Sequence, residues 1–193
     1  MSQAPRILVF AGSLRTDSYN KKLARIAASA AGEAGAEVTF LDLKEYPLPV
    51  YDEDLEREEG APTNVFRLKE LFRAHDGFLI ASPEYNSSIS AALKNTIDWV
   101  TRRVPDETPM AAFRGKTALL LSASPGALGG LRGLVHLRAI LGNIGVLVLP
   151  DQFALGRASE AFDENDDLVD SAQLQVVQSL AQRLVEVTGR LKQ

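Results

Sequence analysis

Short apolar runs alternate with amphipathic helical patterns along this 193-residue chain. Each run is bounded by turn or helix signals, which is typical of strands buried on both faces of a parallel sheet. The five runs are Arg6–Ala11, Glu37–Leu43, Gly77–Ser82, Lys116–Ala123 and Val146–Leu149. Strands that alternate with helices predict the α/β class, with a doubly wound five-stranded parallel sheet and helices on both faces.

Helical patterns fill the intervals between these runs. The first is expected to end at Gly32 or Gly35, and its apolar stripe is formed by Tyr19, Leu23, Ile26, Ala27 and Ala30. The other predicted helices are Asn64–Ala74, Ser88–Arg103, Leu131–Gly142 and Leu168–Leu191. A chain of this length with 46% hydrophobic residues fits one domain, residues 1–193.

The longest stretch without a helix or strand pattern runs from Glu45 to Thr63 and is rich in proline and acidic residues. One interpretation is a solvated acidic connection. The other is a segment that lines a binding site or contacts a second subunit. Both interpretations are open at this point.

Composition disfavours or excludes several classes of protein. The chain has 21 Lys and Arg against 25 Asp and Glu, a net charge of −4, which argues against broad binding to nucleic acids or anionic membranes. The absence of cysteine excludes disulfides, thiolate nucleophiles and cysteine-ligated metal centres. His75 and His136 lack metal-ligand spacing and are expected to be structural or exposed, so no metal site is predicted. Without a signal-peptide pattern or a stretch of transmembrane length, a cytoplasmic protein is expected.

The residues from Gly12 to Asn20, the 12–20 loop, connect the first predicted strand to the first predicted helix. A small-residue loop at the carboxyl end of a strand exposes backbone N–H groups, and the following helix presents the positive end of its dipole. The loop is therefore expected to bind an anion, and Arg15 adds a forked cation suited to phosphate. The alternative is an ordinary strand-to-helix turn in which Ser18 caps the helix.

Two common phosphate motifs are absent from this loop. A nucleotide-triphosphate loop needs G-x-x-x-x-G-K-[ST], but the first glycine after Gly12 is Gly32. The dinucleotide fingerprint G-x-G-x-x-G needs three glycines, of which the loop has one. A P-loop NTPase and a classical nicotinamide-binding Rossmann unit are both disfavoured.

Two further loops should lie at the same edge of the sheet, because ligands of doubly wound sheets bind outside the carboxyl ends of the strands. In the 83–88 loop, Pro83 stiffens the backbone, Tyr85 supplies an aromatic face, and Asn86 supplies a donor and an acceptor. The 124–130 loop has small side chains that let a flat ligand approach its backbone. A flexible linker is the alternative for this last loop.

The order of these motifs resembles the NAD(P)H-dependent FMN reductases and quinone reductases of the flavodoxin-like superfamily. The resemblance extends from about residue 6 to the last helix and implies a flavodoxin-like fold. It departs at Ser90-Ala91, where many relatives carry proline followed by glycine. The matching segments are Gly12-Ser13-Leu14-Arg15 with Ser18 and Asn20, Pro83-Glu84-Tyr85-Asn86 followed by Leu93-Lys94-Asn95 and Ile97-Asp98-Trp99, and Ser124-Pro125-Gly126 with Gly129-Gly130.

The resemblance also implies roles for individual residues. The FMN phosphate would be held by Ser13, Arg15, Ser18 and Asn20. The isoalloxazine would be held, largely through backbone groups, by Pro83, Glu84, Tyr85 and Asn86, and its other side would be closed by Ser124, Gly126 and Gly129. No side chain is assigned a catalytic role, because the flavin carries the electrons.

The implied reaction is ping-pong: NAD(P)H reduces the flavin, leaves, and is replaced by an acceptor. The acceptor would be a quinone, with azo compounds, nitro compounds and metal ions also possible. Two other hypotheses are an FMN-binding electron carrier that does not use pyridine nucleotides, and a flavin-free binding protein on the same fold.

Family members are usually homodimers or homotetramers with the flavin near a subunit interface. The Ala91–Val100 helix then has two interpretations, an apolar subunit contact or packing in its own core. Its apolar residues are Leu93, Ile97, Trp99 and Val100.

Overall fold

A computed structural model describes residues 3–104 and 107–192. The strands are β1 (Arg6–Ala11), β2 (Glu37–Leu41), β3 (Gly77–Ala81), β4 (Glu84–Tyr85), β5 (Ser88–Ile89), β6 (Thr117–Ala123) and β7 (Leu147–Leu155). The main sheet has five parallel strands in the order β2-β1-β3-β6-β7. Numbered within this sheet alone, the order is 2-1-3-4-5, which is that of flavodoxin. The predicted fold class is confirmed.

Helices cover both faces of the sheet. The helices are α1 (Tyr19–Glu33), α2 (Glu53–Glu59), α3 (Thr63–Ala74), α4 (Ala91–Thr101), α5 (Leu131–Asn143) and α6 (Ser171–Leu191). One face packs against α1 and α6, and the other packs against α3, α4 and α5. Alternate residues of β1 divide between the two cores, with Ile7 and Val9 on the first side and Leu8 and Phe10 on the second.

The last strand of the sheet is longer than the predicted Val146–Leu149 and continues to Leu155. Its register against β6 jumps from Val148 to Gln152, which leaves the intervening residues as a bulge. Arg138 of α5 holds this bulge by donating to the carbonyl oxygens of Leu149 and Pro150, at 2.7 and 3.2 Å. A proline inside β7 is tolerated because β7 is an edge strand and the proline falls in the bulge.

The predicted Ser88–Arg103 helix begins too early. Ser88 and Ile89 form β5, which pairs with β4 as a hairpin, and α4 starts after Ser90. The two residues of the hairpin turn, Asn86 and Ser87, have φ values of 51° and 65°. Two consecutive positive φ values are the signature of a type I′ turn, in which asparagine is favoured at the first position.

Two other elements have bounds that differ from the predictions by two or more residues. The second strand ends at Leu41, and a 3₁₀ turn follows at Leu43–Glu45. The last helix begins after its cap, Asp170, rather than at Leu168, which is buried and bridges to Phe162. The first helix ends as predicted, since Gly35 has a φ of 93° just beyond its cap.

The Glu45–Thr63 segment is neither irregular throughout nor a free connection. It contains α2, and its proline-rich part is tied to α4. Trp99 Nε1 and Asn95 Nδ2 each donate to the carbonyl oxygen of Pro49 at 2.8 Å, and Asn95 Oδ1 accepts from the Tyr51 N–H at 2.9 Å. The proline-rich part of the segment is therefore held against α4 by these hydrogen bonds.

The apolar residues of α4 are buried within their own subunit. Leu93, Trp99 and Val100 are fully buried and Ile97 nearly so. The core-packing interpretation of this stripe is confirmed, and the interpretation of these side chains as a subunit contact is wrong.

Gly12 lies at a close approach between the end of β1 and α4. A Cβ at this position would lie 2.9 Å from Leu93 Cδ2, 3.0 Å from Leu93 Cβ and 3.3 Å from Pro83 Cδ. We expect Gly12→Ala to lower the free energy of unfolding by about 1–3 kcal/mol, because the helix must move to admit a methyl group.

Gly32→Ala is the matched control. A Cβ at Gly32 meets nothing within 4 Å, and the residue lies in α1. This substitution should raise the free energy of unfolding by about 0.5–1 kcal/mol. Chemical denaturation of both variants measures the difference, and an equal effect of the two substitutions would contradict the close packing at Gly12.

Candidate functional site

The three predicted loops meet at the carboxyl edge of the sheet. The Gly12 N–H donates to the Ala81 carbonyl, the Ser82 N–H to Leu121, and the Ser124 N–H to Leu155, at 2.8–3.0 Å. These bonds continue the strand ladder into the loops and fix their relative positions. The 12–20 and 83–88 loops follow β1 and β3, which flank the point where strand order reverses, and ligands of such sheets bind there.

Two adjoining cavities open between these loops and share Ser13, Arg15 and Tyr85. The smaller has a volume of about 100 Å³ and is lined by Ser13, Arg15, Ser18, Tyr19, Asn20, Pro83, Glu84, Tyr85, Ala123, Ser124 and Pro125. The larger has a volume of about 330 Å³ and is lined by Gly12, Ser13, Leu14, Arg15, Tyr85, Ser90, Ala91 and Ala92. The structure thus brings together eight of the eleven predicted site residues; the other three, Asn86, Gly126 and Gly129, line neither cavity.

A third cavity, of about 530 Å³, borders the 124–130 loop at Ala127. It is lined mainly by residues that follow β7, among them Arg157, Glu160 and Gln173. It contains none of the predicted site residues, so its size does not make it the candidate site.

The lysines around the 12–20 loop are all engaged. Lys21 Nζ lies 2.7 Å from the Asp42 carboxylate, and its side chain is buried. Lys22 Nζ lies 3.1 Å from Asp17 and 2.6 Å from Asp166. Hydrogen bonds to Asp166 and Asp17 raise the pKa of Lys22. Lys44 Nζ donates to Thr16 Oγ1 at 2.8 Å. These ion pairs and hydrogen bonds connect the loop and the start of α1 to the 3₁₀ turn after β2 and to the segment before α6.

Arg15 differs from these lysines. Its guanidinium donates to the carbonyl oxygen of Asp17 at 3.0 Å, and within residues 3–104 and 107–192 it forms no ion pair. One N–H group of the fork is thus used to hold the side chain over its own loop. The other N–H groups of the guanidinium, and its positive charge, remain available to an anion in either cavity.

The backbone of the loop offers donors as well. Among the residues the structure describes, no protein group accepts the N–H of the five loop residues before α1 other than Gly12 and Arg15, which are Ser13, Leu14, Thr16, Asp17 and Ser18. The loop leads into the N-terminus of α1, where the helix dipole also favours an anion. Free N–H groups, a helix N-terminus and a guanidinium together suit the binding of an anion, and we call this arrangement the phosphate cradle.

Ser18 caps α1, as the turn interpretation predicted. Its hydroxyl accepts from the Lys21 N–H at 3.4 Å, and the residue is buried. A hydroxyl that accepts through its oxygen still has a proton to donate. The cap and a contact to an anion are therefore compatible.

Asn20 has a structural partner that sequence reasoning did not find. Its Nδ2 donates to the carbonyl oxygen of Ala123 and its Oδ1 accepts from the Ala123 N–H, both at 2.9 Å. This pair of bonds ties the start of α1 to the end of β6. The side chain lines the smaller cavity, with one amide proton left for a ligand.

The Glu84 carboxylate is committed to α5. It accepts from Arg132 Nε at 2.8 Å and from the Gly133 N–H at 3.2 Å. Burial alone would raise the pKa of Glu84, but these hydrogen bonds outweigh burial and lower it. The charge is thus balanced by Arg132 and by the N-terminus of α5, and Glu84 offers a ligand mainly its backbone.

The three predicted residues outside the cavities have conformational roles. Asn86 occupies the hairpin turn. Gly129 has a φ of 62°, and a Cβ there would lie 2.7 Å from the backbone at the end of β7. The Gly126 carbonyl accepts from the Arg157 N–H at 3.3 Å. The 124–130 loop is accordingly braced against β7 and is not a flexible linker.

Ser90 is a site residue that the sequence marked only as a departure from the family pattern. It caps α4, lines the larger cavity and is buried. Its hydroxyl accepts from the Leu93 N–H and donates to the Gly12 carbonyl. The signal that could have found it is a serine three residues before the apolar Leu93, at the start of a helix.

The two histidines lie outside the site. His75 is buried at the end of α3, where its Nδ1 lies 2.6 Å from the Leu71 carbonyl oxygen. His136 is exposed on α5, with its Nδ1 2.9 Å from Ser88 Oγ.

Of the helices in the described ranges, none is both long and apolar enough to cross a membrane.

This chain is similar to known proteins in sequence and in fold. Residues 5–160 match the family model for NADPH-dependent FMN reductases. A quinone reductase of Escherichia coli K12 is 40% identical over 152 residues, which are 77% of this chain and 76% of that protein. An NAD(P)H-dependent FMN reductase of Pseudomonas aeruginosa is 36% identical over 193 residues and covers all of both chains.

A solved structure agrees with these relatives. The flavoenzyme NAD(P)H:(acceptor) oxidoreductase FerB of Paracoccus denitrificans superimposes with a TM-score of 0.81 at 29% identity, covering 96% of this chain and 98% of that one. The family match includes the 12–20, 83–88 and 124–130 loops, which form the two cavities. The chain therefore belongs to the NADPH-dependent FMN reductase family.

Proposed function

We propose that this protein is an FMN-dependent NAD(P)H oxidoreductase: the flavin takes hydride from NAD(P)H and passes electrons to quinones, with azo compounds, nitro compounds and metal ions as further acceptors. The observation that carries the proposal is the phosphate cradle at the switch point of the sheet. Among the described residues, Arg15 has no acidic partner, and the N–H groups of Ser13, Leu14, Thr16, Asp17 and Ser18 have no protein acceptor.

The residues present fit the cofactor. The cradle would hold the FMN phosphate through Arg15, the free N–H groups and the hydroxyls of Ser13 and Ser18. The backbone from Pro83 to Tyr85, stiffened by the proline, would hold the polar edge of the ring. Ser124 and the braced loop behind it close the smaller cavity on the other side.

The remaining chemistry needs little from the protein. Bound FMN supplies hydride acceptance and donation, while the chain supplies binding, orientation and electrostatics. The larger cavity, with Leu14, Tyr85, Ala91 and Ala92 in its lining, offers an apolar surface on which a flat nicotinamide or quinone can lie. We assign no side chain a catalytic role.

We also propose that the protein acts as a cytoplasmic homodimer or homotetramer. Its relatives are reductases of small molecules, and several large apolar side chains near the site are exposed: Leu14, Tyr85, Leu128, Leu131 and Val135. Exposed apolar patches of this kind mark interfaces.

The oligomeric state is tested by equilibrium sedimentation of the purified protein at micromolar concentration. We expect a mass of two or four chains. A monomer at all concentrations tested would contradict the oligomer and leave the FMN proposal intact.

The activity is tested by mixing FMN-loaded protein with NADPH or NADH in the absence of oxygen. We expect the visible absorbance of oxidised flavin to bleach, and to return when a quinone is added. Failure to bleach with either nucleotide would indicate an FMN-binding electron carrier. A colourless protein that takes up no FMN would indicate a flavin-free binding protein.

A further inference from the structure

The Ser90 hydroxyl joins two parts of the site that are distant in the sequence. It accepts from the Leu93 N–H at 3.1 Å in the first turn of α4, and it donates to the carbonyl oxygen of Gly12 at the start of the 12–20 loop. The residue is only 4% exposed, so water competes weakly for these bonds. A single side chain thus connects the cradle to the helix that follows the hairpin.

The bond to Gly12 fixes the orientation of a peptide group. The Gly12 carbonyl and the Ser13 N–H belong to the same planar trans peptide, and so point in opposite directions. When Ser90 holds the carbonyl towards α4, the Ser13 N–H must point away from α4. That N–H has no protein acceptor among the described residues, and Ser13 lines both cavities.

Little else fixes this peptide. Glycine allows more backbone conformations than other residues, so the Gly12–Ser13 peptide can rotate at low cost unless its polar groups are held. Within residues 3–104 and 107–192, the hydroxyl of Ser90 is the one donor to the Gly12 carbonyl.

We propose that Ser90 is a positioning residue for FMN binding in this chain: its hydroxyl orients the Gly12–Ser13 peptide so that the Ser13 N–H is presented to the phosphate cradle. This inference rests on the proposed function. Ser90 acts through the peptide and need not touch the cofactor.

The test measures the FMN dissociation constant of the apoprotein by quenching of flavin fluorescence in wild type and variants. Ser90→Ala should raise the constant about five- to tenfold, the effect of one net hydrogen bond. Ser90→Thr keeps a hydroxyl on the same carbon and should restore binding to within about twofold of wild type. Ser90→Gly also removes the hydroxyl, and because glycine is tolerated at a helix cap it keeps the test informative if Ser90→Ala is poorly folded.

Asp170→Ala is the matched control, because Asp170 caps α6 with its side chain and lies outside both cavities. It should lower thermal stability about as much as Ser90→Ala and leave FMN affinity unchanged. Wild-type affinity in Ser90→Ala or in a folded Ser90→Gly, or weak binding by a folded Ser90→Thr, would overturn the inference about Ser90 alone. Absence of FMN binding by the wild-type protein would instead overturn the proposed function.

Discussion

The site depends on the close packing of β1 against the start of α4. Gly12 has no side chain, so Leu93 and Pro83 approach its Cα, and the 12–20 loop and the hairpin are held side by side. Ser90 adds a polar bond at the same place. Because both cavities are formed between these loops, their shape follows from a contact that a single methyl group would disturb.

Charge pairing then decides which cation is available to a ligand. Two lysines near the cradle have carboxylate partners and a third donates to a hydroxyl in the loop, so they stabilise the loop. The Arg15 side chain is held by a backbone carbonyl, and among the described residues no carboxylate pairs with it. The Glu84 carboxylate is bound by Arg132 and the N-terminus of α5, which limits its repulsion of an anion. The arrangement suits a phosphate bound beside a largely uncharged ring.

Much of the fold and site was predictable from local pattern, since buried parallel strands are continuous apolar runs and small-residue loops follow them. The second half of β7 was not predicted, because Pro150 and the polar residues after it break the apolar run. The bulge that accommodates them depends on Arg138, which lies in a different element. The hairpin was not predicted, because its two strands have only two residues each and show no apolar alternation. The partner of Asn20 lies 103 residues away, so no local signal could reveal that its amide ties α1 to β6.

In the proposed function, the 12–20 loop binds the phosphate of FMN through Arg15. The most direct test compares the affinities of the apoprotein for FMN and for riboflavin, which lacks the phosphate. We expect tighter binding of FMN, and in Arg15→Ala a loss of FMN affinity of about 10- to 100-fold with riboflavin affinity unchanged. Arg183→Ala, which removes the same charge from exposed α6, should change neither. Equal affinities in the wild-type protein, or an equal loss for both ligands in Arg15→Ala, would contradict the claim.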